Sequence, residues 1–147
     1  MSQNSKKYHA ENGYICDIPK ENLSKRNFKE SIVPYLLRNY TVNSSNQVCP
    51  IYVIYIPIKK EHMYLTAIIN WFSRKVITHY LTDPLDTNSV TTPVKEAIER
   101  YGIPAIINSD QGSQFTSTAY KLLLKIYKIR QSMDGKSRWA DNIMIER

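Results

Sequence analysis

Three features of the sequence predict an α/β fold on a five-stranded mixed sheet. Residues 48–58, 63–72 and 76–81 are successive runs rich in β-branched and aromatic side chains, and the connections between them are short and polar. Such connections suit antiparallel hairpins, because a parallel pair needs a long crossover. After Asp83-Pro84 the apolar spacing lengthens to a helical period and then alternates between helix and strand, the order that builds a layered α/β domain. The 147 residues, 17.1 kDa, 42% hydrophobic and 22% charged, make one globular domain of ordinary size.

Each element has its own signal. Residues 1–45 mix Lys, Asn, Ser and Glu without a sustained period, apart from an apolar patch at 32–37, and read as a linker or a remnant upstream of a folded unit at 46–147. Beyond the three strands, Val90, Val94, Ala97, Ile98 and Tyr101 recur at helical spacing before Gly102, a natural stop. Pro93 falls inside this pattern, where it should start the regular helix or kink it, since an interior proline costs roughly 3 kcal/mol. Residues 105–108 are a short buried strand and Ser109-Asp110-Gln111-Gly112 a turn. Tyr120, Leu123, Leu124 and Tyr127 share one face of a helix over 116–128, residues 129–133 form a fifth strand, and a last helix begins near Trp139 and is cut short by the chain end.

Composition bounds function. No window approaches the ~18 consecutive apolar residues of a membrane helix, and the start Met1-Ser2-Gln3-Asn4-Ser5-Lys6-Lys7 lacks the apolar stretch of a secretory signal, so a cytoplasmic protein without a membrane partner is expected. Cys16 and Cys49 lie far apart, and His9, His62 and His79 form no pair at zinc-ligand spacing, which argues against a disulfide framework and a structural zinc. A net charge of +7 and a pI near 9.4 favour an anionic partner such as nucleic acid, and the positive excess sits in the first 45 residues and in residues 110–147.

Specific motifs narrow this further. Pro104-Ala105-Ile106-Ile107-Asn108-Ser109-Asp110-Gln111-Gly112-Ser113-Gln114-Phe115-Thr116-Ser117 resembles the second signature of insertion-sequence transposases with a retroviral-integrase-type catalytic core. Ser132-Met133-Asp134 followed by Trp139-Ala140-Asp141-Asn142-Ile143-Met144-Ile145-Glu146 resembles the third, and 35 residues separate Asp110 from Glu146, the spacing of that superfamily. Residues 64–76 resemble the second-strand signature, with Asn70 where the family usually has Asp. The first signature departs: after Asn46-Gln47-Val48, Cys49 stands in the tryptophan position, Tyr52 in that of the first catalytic aspartate and Ile54 in that of a threonine. Clustered in one strand, these changes read as loss of a site rather than its tuning.

The resemblance implies a ribonuclease H-like sheet, three antiparallel strands and then strands alternating with helices, with residues 46–147 as a catalytic core whose last helix is truncated. It also implies two Mg2+ or Mn2+ ions, held by Asp110, Glu146 and a third carboxylate, that activate the attacking oxygen and stabilise the leaving one in DNA strand transfer. Tyr52 offers one weakly basic neutral oxygen instead, so metal binding should be weak and transposition chemistry absent. Asp110-Gln111-Gly112 alone would suit an ordinary turn, and Asp141-Asn142 a helix cap as well as a family role. Lys121, Lys125 and Lys128 suit a solvated helix face as well as phosphate contact with DNA. The function expected is a transposase core, catalytically dead, at the nucleoid of a bacterial cytoplasm if it binds DNA, and assembling with itself or with an intact transposase. The alternatives are a non-catalytic DNA-binding or dimer-forming remnant, or a pseudogene product without function.

Overall fold

A computed structural model describes residues 32–59 and 61–135. Within them the chain runs through strands β1 (Val48–Ile58), β2 (Glu61–Ile69) and β3 (Val76–Thr82), helix α1 (Asn88–Tyr101), strand β4 (Ile106–Ser109), helix α2 (Thr118–Ile126) and strand β5 (Arg130–Met133). All five strands join one sheet in the order β3-β2-β1-β4-β5. β2 pairs antiparallel with both β1 and β3, whereas β1–β4 and β4–β5 are parallel, each reached through a helix. This is the mixed sheet expected from the sequence. The last helix expected from Trp139 lies outside the described residues.

β1 changes partner midway. Val48, Cys49 and Pro50 stand opposite Ile106, Ile107 and Asn108 of β4, and from Ile51 onward the ladder runs along β2. Pro50, which has no amide hydrogen to give a ladder, occupies the change-over, where its loss is tolerated. β2 ends three residues earlier than its apolar run suggests, because the Asn70 side chain folds the chain into a turn. Its Oδ1 accepts the amides of Phe72 at 3.1 Å and Ser73 at 3.3 Å, and its own amide donates to the Lys75 carbonyl at 2.9 Å. An aspartate would supply the same acceptor; only asparagine also donates, here through Nδ2 to Asn46 Oδ1 at 3.5 Å.

The sheet buries both faces near its centre. On one side Cys49, Ile51 and Ile107 pack with Val90, Val94 and Ala97 of α1 and with Phe115, Tyr120, Leu123 and Leu124 around α2. On the other, Val48 and Ile106 pack with Leu37, flanked by Tyr35, Tyr40, Val42 and Trp71. Residues 32–45, expected as part of a linker, therefore contribute side chains that line the sheet. The Leu36 amide donates to Ser132 Oγ at 3.0 Å, and the Gln47 side chain accepts from the Asn43 and Ser44 amides at 2.8 and 3.2 Å.

The helices differ from expectation at their ends. α1 begins at Asn88, so Pro93 neither starts nor ends it; it lies inside, fully buried, and leaves the Ser89 carbonyl without its usual helical donor. Asp86 caps the helix, its carboxylate accepting from the Ser89 amide at 2.9 Å and the Ser89 hydroxyl at 2.8 Å, bonds that hold its pKa below the ordinary value. α2 is shorter than 116–128 because Ser117 takes the N-cap, accepting the Tyr120 amide at 3.3 Å, and Lys128 turns left-handed at φ 56°.

Candidate active site

Strand registers bring three polar residues to one level. β1 and β4 pair as Val48 with Ile106 through Pro50 with Asn108, so two residues further on Tyr52 is level with Asp110. β4 and β5 pair as Ile106 with Arg130 through Ser109 with Met133, which sets Asp110 level with Asp134. The Asp134 amide extends that ladder, donating to the Ser109 carbonyl at 2.8 Å. Side chains alternate across a strand, and Val48 and Ile106 lie on the face away from the helices. Counting in twos puts Tyr52, Asp110 and Asp134 on that face as well.

Asp110 sits one residue past β4 and is exposed. Its Oδ1 accepts the Gly112 amide at 2.7 Å, which fixes the carboxylate over the turn. Gly112 leaves room for two side-chain ends: a Cβ there would lie 2.8 Å from Asp110 Oδ1 and 2.7 Å from Gln114 Oε1, and both would have to shift. The Gly112 carbonyl then accepts from Phe115 at 3.1 Å, leading the chain into α2. The Asp-Gln-Gly triplet thus positions a carboxylate at the end of a sheet strand.

Tyr52 is half-buried, and its phenol titrates well above the ordinary tyrosine value. Burial is the main cause, the Asp134 carboxylate and Tyr35 add to it, and Arg74 opposes it. The phenol is neutral at any physiological pH. Cys49 is a free buried thiol in the helix-side core whose pKa is pushed up to about 11 by desolvation. Ile54 is 48% exposed on the face shared with Tyr52.

Two residues that sequence reasoning did not single out complete the arrangement. Asn108 and Asp134 are both buried, and Asn108 Nδ2 donates to Asp134 Oδ1 at 3.0 Å, while Asn108 Oδ1 has no hydrogen-bond partner among the described residues. The sequence signal was the period of two: Asn108 precedes Asp110, and Ser132 precedes Asp134, on the same strand faces. Glu146, with Trp139, Asp141 and Asn142, lies outside the described residues. Among those described, no three His, Cys, Asp or Glu side chains gather where they could hold a metal ion.

The lysines separate. Lys121 and Lys125 are on α2, the first half-buried and the second exposed, whereas Lys128 lies past the end of α2 and is exposed there. A single helical face does not carry all three.

Residues 42–138 match the integrase core domain family, and the chain belongs to that family. Curated relatives are insertion-sequence transposases. The transposase for insertion sequence element IS904 of Lactococcus lactis is 33% identical over 94 residues, 63% of this chain and 37% of that protein. Transposase InsF for insertion sequence IS3A of Escherichia coli K12 is 26% identical over 113 residues, 76% of this chain and 39% of that protein. The chain thus spans under two fifths to two fifths of the length of such relatives. Among solved structures, the HTLV-2 integrase catalytic core domain in complex with magnesium, in its dimeric form, superposes with a TM-score of 0.56 at 24% identity, covering 60% of this chain and 61% of that one. The simian T-cell lymphotropic virus intasome in complex with PP2A regulatory subunit B56 gamma superposes with a TM-score of 0.63 at 19% identity, covering 69% of this chain and 36% of that chain. These likenesses establish the integrase-core fold. No helix among the described residues is long and apolar enough to cross a membrane.

Proposed function

We propose that the chain is the core portion of an insertion-sequence transposase in which DNA strand transfer is disabled at Tyr52. The observation that carries this reading is the register: continued two residues beyond the Pro50–Asn108 pair, it sets Tyr52 of β1 level with Asp110, one residue past β4. Phosphodiester transfer requires an activated attacking oxygen and a stabilised leaving oxygen, with charge supplied where it develops. A half-buried neutral phenol supplies one weak acceptor and no charge. Asp110 and Glu146 remain as the acidic positions of the family pattern, and two carboxylates bind Mg2+ or Mn2+ weakly compared with three.

DNA is the partner, attracted by the net charge of +7, with Lys121, Lys125 and Lys128 as phosphate contacts. In a cell such a protein is cytoplasmic and associates with the nucleoid through that DNA. A strand-transfer assay on a duplex bearing a free 3′ end, with Mg2+ or Mn2+, tests the reading: no joined product is expected, and metal-dependent joining would overturn it.

The same tyrosine favours a second reading, a non-catalytic DNA-binding or dimer-forming remnant. It would assemble with itself or with an intact transposase and lower the activity of the mixture. Addition of the chain to an active relative, followed by the rate of joining, separates this from an inert product.

A further inference from the structure

β1 and β2 extend beyond the rest of the sheet. β4 pairs with β1 only as far as Pro50, and β3 pairs with β2 only up to the Tyr64–Thr82 position, while β1 and β2 continue as a pair from Tyr55–Tyr64 to Ile58–Glu61. The result is a projecting two-stranded ribbon. A ribbon of this kind is only marginally stable by its own hydrogen bonds and relies on cross-strand side-chain pairs.

Here those pairs are aromatic and exposed. The Tyr55 ring lies 5.2 Å from that of His62 at an interplanar angle of 30°, and 5.9 Å from that of Tyr64 at 72°. His62 and Tyr64 are 5.5 Å apart and edge to face. All three lie on one ribbon face, since Tyr55 pairs with Tyr64, and His62 is two residues from Tyr64. Tyr55 is 57% exposed and His62 is exposed, while Tyr64 beneath them is half-buried. Lys59 stands exposed at the turn, and the sequence of the connection, Lys59-Lys60, is doubly basic. Glu61, the acid in the ribbon, pairs with Ile58 and so belongs to the opposite face.

Exposed π-faces beside cationic side chains are the chemistry that holds unpaired nucleobases: the ring stacks on the base and the cation meets the phosphate. We propose that this ribbon is a stacking platform for single-stranded DNA, with Tyr55 as the base-facing ring, His62 and Tyr64 as its support, and Lys59 as the phosphate contact. The choice of DNA rests on the transposase reading above; the stacking geometry does not.

The test uses the full chain and fluorescence anisotropy with a labelled oligothymidylate and, separately, a blunt duplex of the same length. The expected result is that Tyr55→Ala weakens oligothymidylate binding roughly tenfold while duplex binding changes less than twofold, and that Tyr55→Phe, which keeps the ring, binds as the parent does. Lys121→Gln with Lys125→Gln should show the reverse pattern, weakening duplex more than single strand. Ultraviolet crosslinking of the unmodified protein to a 5-iodouracil strand, mapped by mass spectrometry, needs no variant to fold and should label Tyr55 or His62. Crosslinks confined to other elements, or equal single-strand affinity of parent and a folded Tyr55→Ala, would overturn the platform. Duplex binding that persists in either case leaves the transposase reading standing, and loss of duplex binding with single-strand binding intact overturns that reading alone.

Discussion

Asn108 donates its side-chain amide to the buried carboxylate of Asp134 at 3.0 Å, tying the middle of β4 to the end of β5 beneath the level of Asp110 and Tyr52. The direction of the amide is fixed, because a carboxylate accepts and only Nδ2 donates. Asn108→Ala removes that donor and leaves Asp134 buried without it. A hydrogen bond to a charged group contributes about 1.5 to 3 kcal/mol, and a loss of roughly 2 kcal/mol in urea unfolding is expected. A change under about 0.5 kcal/mol would mean that the pair does not hold the two strands.

Tyr52→Asp places a carboxylate level with Asp110 and near Asp134, and the clustered negative charge should lower the melting temperature in the absence of metal. Mg2+ or Mn2+ should then raise it, since binding to the native state stabilises by mass action. Adding Asp110→Asn should abolish the rise. A folded Tyr52→Asp chain whose calorimetric metal affinity equals that of the parent would show that position 52 does not face the acids.

Tyr120 is buried, its hydroxyl has no hydrogen-bond partner among the described residues, and burial raises its pKa far above the ordinary tyrosine value. A folded-state pKa raised above the unfolded one means that the associated stability is complete below about pH 10 and is lost as the pH rises further, because the unfolded chain can ionise and the folded one cannot. Tyr52 acts in the same direction. Tyr120→Phe removes the unsatisfied hydroxyl and one such group. It should leave stability at pH 7 unchanged or raise it by about 1 kcal/mol, and flatten the alkaline fall. Stability measured between pH 8 and roughly pH 11 decides, and an unchanged alkaline slope would refute the assignment.

Gly112→Ala introduces a Cβ 2.8 Å from Asp110 Oδ1, so the Asp110 side chain must turn away and the 2.7 Å bond from the residue 112 amide is lost. A stability loss of about 1 kcal/mol is expected from that bond. In the Tyr52→Asp background the same change should weaken the metal-dependent thermal shift, which isolates positioning of Asp110 from its mere presence.

Much of this architecture was legible because strands and helices leave different periods. The β-branched run from Val48 marked β1 at both ends, and Tyr120, Leu123 and Leu124 marked the buried stripe of α2. Asp110 was legible as the polar end of a short apolar strand. Strand order was not, since the parallel register of β1 on β4 depends on where α1 returns the chain, and no local pattern carries that. Hence the grouping of Tyr52 with Asp134 emerged only from pairing. The ends of β2 and α2 were misjudged by apolar content, because backbone amides bonded to the Asn70 Oδ1 and Ser117 Oγ acceptors override it. Residues 32–47 lack any period, yet Leu37 is buried: an irregular segment can still fill a sheet face when a few apolar side chains meet it. Glu146 lies outside the described residues.

The short parallel seam between β1 and β4 has a kinetic consequence. The meander of β1, β2 and β3 closes small loops, as does the unit of β4, α2 and β5, whereas the seam joins residues that α1 and two strands separate in sequence. Loop-closure entropy makes such long-range pairing a late event. Asn46 sits at that seam with φ 61°, its side chain donating to the Tyr101 carbonyl and its carbonyl accepting the Ala105 amide at 2.9 Å. Asn46→Ala should therefore speed unfolding while leaving the refolding rate nearly unchanged in stopped-flow measurements, the signature of contacts made after the transition state. The native lifetime would then depend on contacts at the approach to β1 as well as on the apolar core.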